Sequence, residues 1–288
     1  MSLRGKAAIV GIGETAHRRV WPGRTERGLC AEAAAMAIAD AGLHKDDIDG
    51  IITFGGLTYP GPMAEYIGLK PNHFAAGASM MGCSAGVSLT IASSAINAGM
   101  AKHILCVFGG GRDPAAGAGI HLGGRPVVPP STASEFEVPY GKAVAANTGY
   151  GWLYSRHMHV YGTKPEQIAL ISVRQRFNTL NNPRSAFQNQ PITLEDVLNS
   201  RYINEPLHIL ECVMPVAGAA AFVVTSAERA QSLPNDPVYV LGAGIAQGSA
   251  TYWMADDMLT MPTKYSAASA YEMSGYGPKD MEFAEFYD

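Results

Sequence analysis

The chain has 288 residues, 47% of them hydrophobic and 16% charged, which gives it enough apolar content for a sizeable core and rules out a disordered chain. Its 21 Lys+Arg against 25 Asp+Glu leave a formal charge of −4, which argues against a general nucleic-acid binder. Four cysteines (Cys30, Cys83, Cys106, Cys212) at wide, irregular spacing form neither a disulfide framework nor a zinc pattern, and no apolar run reaches the ~20 residues of a membrane span.

Residues 6–12 (KAAIVGI) form a short apolar run ending at glycine, which reads as a buried strand. Residues 25–41 read as a helix: Thr25 is the N-cap, Glu26 suits the first turn, Leu29, Ala33, Met36 and Ala37 share a face, and Gly42 ends it. Asp46-Asp47-Ile48-Asp49 then leads into a second strand at 50–54, and 74–81 is a third apolar run. After Gly82-Cys83-Ser84-Ala85-Gly86 a helix of small residues runs to Asn97, and residues 104–108 form a fourth strand closed by Gly109-Gly110-Gly111. Strands alternating with helices of this length imply βαβ units and a mostly parallel sheet.

Residues 109–141 hold eight Gly and five Pro, an irregular excursion of the kind that forms lids or binding loops. Helical patterns resume at 142–161, 165–180 and 194–203, followed by a strand at 219–225, a short helix at 226–232 and a strand at 238–243. The opening order of strand, loop, helix ending in Ala41-Gly42, acidic turn and strand recurs from Pro237, with a helix ending in Ser274-Gly275 and Lys279-Asp280-Met281-Glu282 leading into Phe283. Residues 1–234 therefore read as one half of a duplicated fold, with an excursion at about 109–203, and 235–288 as the start of a second half. That half breaks off at its second strand, so further sequence or a partner is expected to supply the remainder.

Gly11-Ile12-Gly13-Glu14-Thr15-Ala16 matches a dinucleotide fingerprint, but Pro22-Gly23 breaks the helix that such a site needs, so the plain reading is a tight strand-to-loop turn. Cys83 is the sharper signal. A sulfur between a strand and a helix lies near free N–H groups and the positive end of the helix dipole, and its small neighbours let an acyl group approach. The alternative is an inert buried cysteine, the reading also given to Cys30, Cys106 and Cys212. His157 and His159 point to different faces of a helix and cannot chelate together. Gly109, Gly110, His121 and Gly218 stand where a substrate would pass, and Arg18, Arg19, Arg24 and Arg27 are read as a solvated patch. Tyr287 ends the last strand pattern, where a phenol suits hydrogen-bond donation or acid/base work.

The segments KAAIVGIGET, AEAAAMAIADAGLHKDDIDGIIT, GCSAG around Cys83, AGMAKHILCVFG, YGTKPEQI, PITLEDVL and AGAAAFVVTSAERA resemble the thiolase superfamily, in its sterol-carrier-protein thiolase-like branch, over nearly the whole chain. The resemblance implies the layered αβαβα fold with duplicated halves, the second incomplete in this chain. It puts Cys83 at the position of the acyl-carrying nucleophile. Tyr287, in Glu285-Phe286-Tyr287-Asp288, stands where a thiolase has the histidine of a His-Asp-Cys-Phe motif, which changes the oxyanion donor and its pKa. A tyrosine there resembles the branch whose members work with a small OB-fold, zinc-ribbon partner. The expected enzyme is an acyltransferase acting on CoA thioesters through Cys83. The alternatives are a retro-aldolase using Tyr287 as acid/base and a non-catalytic acyl-CoA-binding or scaffold subunit. The opening MSLRGKAAIVGIGET lacks a signal-peptide cleavage region, so a soluble cytoplasmic homodimer is expected, with a coenzyme A thioester as substrate, no covalently bound cofactor, no metal and no nucleic acid.

Overall fold

The computed structural model describes residues 2–54, 59–70, 73–80, 82–111, 146–248 and 255–286. The apolar run after Lys6 forms strand β1 (Ala7–Glu14), whose register against its neighbour slips between Ile9 and Gly11 in a bulge. The bulge turns Val10 and Gly11 in succession toward helix α1 (Glu26–Asp40). A Cβ on Gly11 would strike Ala37 O and lie 2.7 Å from Ala41 Cβ, and one on Gly13 would strike Ala33 O and lie 2.6 Å from Ala37 N. Both glycines therefore sit within the strand, where the helix backbone leaves no room for a side chain, and not in the turn expected from the sequence.

Helix α1 opens as expected. Thr25 Oγ1 accepts a hydrogen bond from Gly28 N at 3.1 Å, Glu26 takes the first turn, and Gly42 at φ +67° is the left-handed residue that closes it. Leu29, Cys30, Ala33, Ala34, Ala37 and Ile38 form its buried face, whereas Met36, expected there, is exposed. Strand β2 (Gly50–Phe54) is buried throughout, as a central parallel strand must be. Helix α2 (Pro60–Ile67) has no counterpart in the sequence reading, because Pro60-Gly61-Pro62 looks like a break. Proline in the first turn costs the helix no hydrogen bond, and Gly68 at φ +77° ends it. Strand β3 (Phe74–Gly77) takes only half of the 74–81 run. Helix α3 (Ser84–Asn97) follows, and its hydroxyls bond back to its own carbonyls, as Ser88 Oγ does to Ala85 O at 2.7 Å and Ser93 Oγ to Leu89 O at 2.7 Å. Strand β4 (His103–Gly110) comes next, and Asp49 accepts from Lys102 N and His103 N, both at 2.8 Å, tying the starts of β2 and β4 together.

Helices α4 (Ala146–Tyr161) and α5 (Pro165–Thr179) match the expected patterns. The 194–203 pattern splits: helix α6 (Leu194–Leu198) stops at Asn199, and Tyr202 and Ile203 belong to strand β5 (Tyr202–Asn204), which pairs with β6 (Leu207–His208). The stop is local, since Ser200 Oγ donates to Val197 O at 2.8 Å. Strand β7 (Gly218–Ser226) leads into helix α7 (Ala227–Ala230), and β8 (Val238–Tyr239) is shorter than the 238–243 pattern. Beyond it, Gly242 and Gly244 turn against helix α8 (Thr263–Ser274), where added Cβ atoms would strike Ala270 O and Ser266 O.

Six strands make one sheet in the order β3-β2-β4-β7-β1-β8. β1 to β4 run in one direction, and β7 and β8 in the other. Helices α1 and α2 cover one face, with Leu29, Ala37, Met63 and Val223 among the buried residues. Helix α3 covers the other, with Val87, Ala92, Ile52, Phe54 and Cys106. The described residues form a mixed α/β fold with two compact units. The first comprises Met1–Gly117, Val216–Ala246 and Thr263–Asp288, and the second Ala118–Pro215 and Gln247–Pro262.

The contacts of β1, α1 and the turn after α1 recur at 238–244 and 263–280. Gly242 and Gly244 meet α8 as Gly11 and Gly13 meet α1, and Gly275 at φ +71° closes α8 as Gly42 closes α1. In the 3-10 turns that follow, Asp47 Oδ2 accepts from His44 N at 2.8 Å and Asp280 Oδ2 from Gly277 N at 2.7 Å. The close approach makes a direct prediction. Gly13→Ala costs about 1–3 kcal/mol of overpacking and lowers the melting temperature by several degrees in thermal denaturation. Gly61→Ala, where a Cβ meets nothing within 4 Å, leaves it unchanged.

Candidate active site

Side chains alternate between the two faces of the sheet, so the residues that meet α3 can be followed strand by strand. Ile104 and Cys106 on β4 belong to the α3 cluster, and Phe108 and Gly110 continue the same face. On β7, Val224 and Phe222 continue to Ala220 and Gly218. Phe108 stacks on Phe54 of β2 with ring centroids 4.3 Å apart. At the ends of the strands Gly110 pairs with Gly218. Among the described residues, a Cβ on Gly110 would meet only Val216 O, at 3.7 Å.

Cys83 is the N-cap of α3 and is exposed, while its neighbours Met80 and Ala85 pack on the α3 cluster. A Cβ on Gly86 would meet none of the described residues within 4 Å. The thiol, however, does not accept from the free N–H groups of the helix. Cys83 Sγ donates to Met80 O at 2.8 Å, and Met80 is held in turn by donating its N–H to Ser84 Oγ at 2.8 Å.

Gly109 and Gly218 are both filled by their neighbours. A Cβ on Gly109 would lie 2.8 Å from Cys30 Sγ and from Ala219 Cβ, on the α1 face, and one on Gly218 would strike the His17 ring. His121 and Tyr287 lie outside the described residues. Cys30 and Cys106 are fully buried; burial pushes the Cys30 thiol up to about 12 and raises that of Cys106. Cys212 is half-buried, donates to His208 O at 3.3 Å, and is raised by burial and by Glu211.

His17 is a residue that sequence reasoning missed. Its Nε2 lies 3.5 Å from Glu14 Oε1, and both side chains are about one-third exposed, at 32% and 37%. The arginines beside it are organised around an indole: Arg18 and Arg24 stand over the Trp21 ring at 5.9 and 5.1 Å, and Arg24 pairs with Glu32.

In the second unit, Trp152, Ser155, Arg156 and His159 follow one side of α4 and, with Met258, line an open groove of about 520 Å³. His157 instead shares a 2.7 Å hydrogen bond with Thr163 Oγ1, so the two histidines diverge as expected. A buried pair, His208 and Glu211, lies 2.8 Å apart, with Tyr202 stacked on the imidazole. Among the described residues no His, Cys, Asp or Glu cluster has the makings of a metal site, and no helix is long and apolar enough to cross a membrane.

No family model matches the chain. It is 34% identical to a steroid side-chain-cleaving aldolase of Thermomonospora curvata, over 99% of this chain and 75% of that protein. It is 32% identical to a 17-hydroxy-3-oxo-4-pregnene-20-carboxyl-CoA lyase of Mycobacterium tuberculosis, over 99% of this chain and 76% of that one. An acetyl-CoA acetyltransferase of Methanothermobacter thermautotrophicus is 30% identical over 98% of this chain and 73% of its own length. Among solved structures, an Ltp2-ChsH2(DUF35) aldolase superposes with a TM-score of 0.86 at 32% identity, covering 96% of this chain and 72% of that one. A monomeric SCP2-thiolase-like protein from Mycobacterium smegmatis shares the fold, with a TM-score of 0.78 at 21% identity over 98% of this chain and 60% of its own.

The contrast among the cysteines is measurable. Iodoacetamide at neutral pH labels Cys83 first, as read by peptide mass, while Cys30 and Cys106 stay unlabelled until the protein is denatured.

Proposed function

Because the chain belongs to the sterol-carrier-protein thiolase-like branch of the thiolase superfamily, we propose that it cleaves the carbon–carbon bond beside a CoA thioester carbonyl by retro-aldol chemistry. The substrate class is a β-hydroxyacyl-CoA whose hydroxyl sits on a bulky, steroid-like skeleton. In this reaction a base takes the hydroxyl proton and the C–O bond becomes a carbonyl. The bond between the α and β carbons breaks, and its electrons pass into the thioester enolate. Protonation of the α carbon releases a ketone and a shorter acyl-CoA. No oxidant is consumed and no acyl group is carried by the protein.

The observation that carries this reading over acyl transfer is the direction of the Cys83 hydrogen bond. A nucleophilic thiol needs help in losing its proton. Here Sγ donates a hydrogen bond to Met80 O, a backbone carbonyl that is no base. Full-length likeness to two C–C-cleaving enzymes points the same way. Tyr287 is the acid/base group on this reading, and Gly110 lines the substrate's path at the strand ends.

Acyl transfer through Cys83 is the second reading. It is favoured by the exposure of Cys83 at the N-terminus of α3 and by the likeness to an acetyltransferase.

Residues 1–234 are read as one half of the duplicated fold and 235–288 as the opening of the second, a division supported by the matched contacts of α1 and α8. A homodimer and a small OB-fold partner complete the proposed assembly, which works in the cytoplasm, where CoA thioesters are held. The aldolase structure, whose name includes a DUF35 component, supports the partner.

Two measurements separate the readings. Retro-aldol chemistry predicts that Tyr287→Phe lowers cleavage of a hydroxysteroid carboxyl-CoA by ~10²-fold or more while Cys83→Ala leaves it within a few-fold. Acyl transfer predicts the reverse, with an acyl adduct on Cys83 visible in the intact mass.

A further inference from the structure

Glu14 and His17 are assigned no role by the reading above, yet the fold holds them firmly at the same end of the sheet. Thr15 is 1% exposed and is zipped to β7: its N–H donates to Ala219 O at 2.9 Å, and its Oγ1 accepts from Ala219 N at 2.8 Å. Arg18 closes the other side, donating to Ala217 O at 3.0 Å and accepting from Ala217 N at 2.7 Å. His17 stands between these two clamps. Its ring is laid on Gly218, where a Cβ would strike Cδ2 and push the imidazole aside.

The face is the one that matters for chemistry. Gly218 and Gly110 lie on the α3 side of the sheet, and Cys83 opens α3 on that side. The orientation of the ring is set too. Its Cδ2 edge meets Gly218, and Nε2 is 3.5 Å from Glu14 Oε1, so Nδ1 points away from β7 on a side chain that is 32% exposed. With Glu14 Oε1 beside Nε2 and Cδ2 against Gly218, Nδ1 is the ring nitrogen left on the side away from the sheet, where a base would accept. Among the described residues, β7 and β4 bring Gly218 and Gly110 to this level, Glu14 comes from β1, and Arg18 turns its guanidinium to His17 O at 3.0 Å.

We propose that His17, oriented by Glu14, is the base that takes the hydroxyl proton in the cleavage reaction, an inference that rests on the retro-aldol reading. Retro-aldol cleavage removes a proton from oxygen and delivers one to carbon, at two different atoms of the substrate. His17 Nδ1 receives the first as the C–C bond breaks. The Tyr287 phenol supplies the second to the α carbon of the enolate. The imidazolium and phenolate left behind return to their starting forms by passing one proton through water, so atoms and charge balance over the cycle. Glu14 stabilises the imidazolium in the interval.

The test uses the full chain with its partner and a hydroxysteroid carboxyl-CoA as the probe, following release of the shorter acyl-CoA. His17→Phe keeps a ring on Gly218 and removes the base. It is expected to lower kcat by ~10²-fold or more, to leave KM within about threefold, and to abolish the acidic limb of the kcat/KM profile. Glu14→Gln is expected to lower kcat less and to move that limb. If the phenylalanine variant does not fold, His17→Gln gives the same reading. A His17→Phe or His17→Gln enzyme with kcat within threefold of the parent and an unchanged acidic limb overturns the assignment of His17. If Tyr287→Phe is still inactive in that case, the retro-aldol reading stands without it. No cleavage by the unmodified enzyme overturns both.

Discussion

The constraint on which the first unit depends is the contact of α1 with β1 at Gly11 and Gly13. The helix comes so close that Ala37 O and Ala33 O occupy the places where two strand side chains would be. Such an approach demands glycine on the strand and small residues on the helix, which is why Ala33, Ala34, Ala37 and Ala41 are buried there. The same demand is met at Gly242 and Gly244 against Ser266, Ala270 and Ser274. Two unlike stretches of sequence thus make one kind of contact, and each then closes on a left-handed glycine and an aspartate-capped turn.

The contact also decides where the chemistry sits. Before the bulge, the even positions Ala8 and Val10 face α1; after it, the odd positions Gly11 and Gly13 do. One extra residue therefore exchanges the faces of everything that follows. Glu14, which an unbroken strand would aim at α1, is turned to the α3 side. That is the side to which Phe54, Phe108 and Gly218 belong and from which α3 begins at Cys83. A packing requirement on one face is thereby converted into a functional group on the other.

What could be read in the sequence follows from the range of the interactions involved. β1, α1, β2 and β4 are written in local periodicity, caps and glycine stops, and Cys83 is legible because strand–turn–helix is itself a local pattern. The same glycines that look like a turn at 11 and 13 are set by a helix more than twenty residues away, and local reading misassigns them. Helix α2 is hidden because Pro60 at a helix start and proline at a helix break are the same letter in different context. The His17 site is set by pairing with Ala217–Ala219, two hundred positions along the chain, and nothing in the run from Ala16 to Val20 announces it. The resemblance to a family supplied what spacing lacked, namely a role for Cys83 and a reason to look at Tyr287.

A fold of this kind positions groups without choosing a reaction, and the choice lies in where protons are held. A sulfur at a helix N-terminus becomes a nucleophile when a neighbour accepts its proton. The same sulfur donating to Met80 O keeps that proton. The His17 imidazole is the opposite case, since Glu14 lies 3.5 Å from Nε2 and Nδ1 is the nitrogen placed to accept. Bond cleavage by retro-aldol chemistry asks only for groups of the second kind, because the electrons that leave the breaking bond are already conjugated to a thioester carbonyl. At the α3 end of this sheet the thiol is tied to a backbone carbonyl, while the backbone on either side of His17 is fixed by Thr15 and Arg18 and its Nδ1 lies away from Gly218. That arrangement fits proton transfer better than acyl carriage.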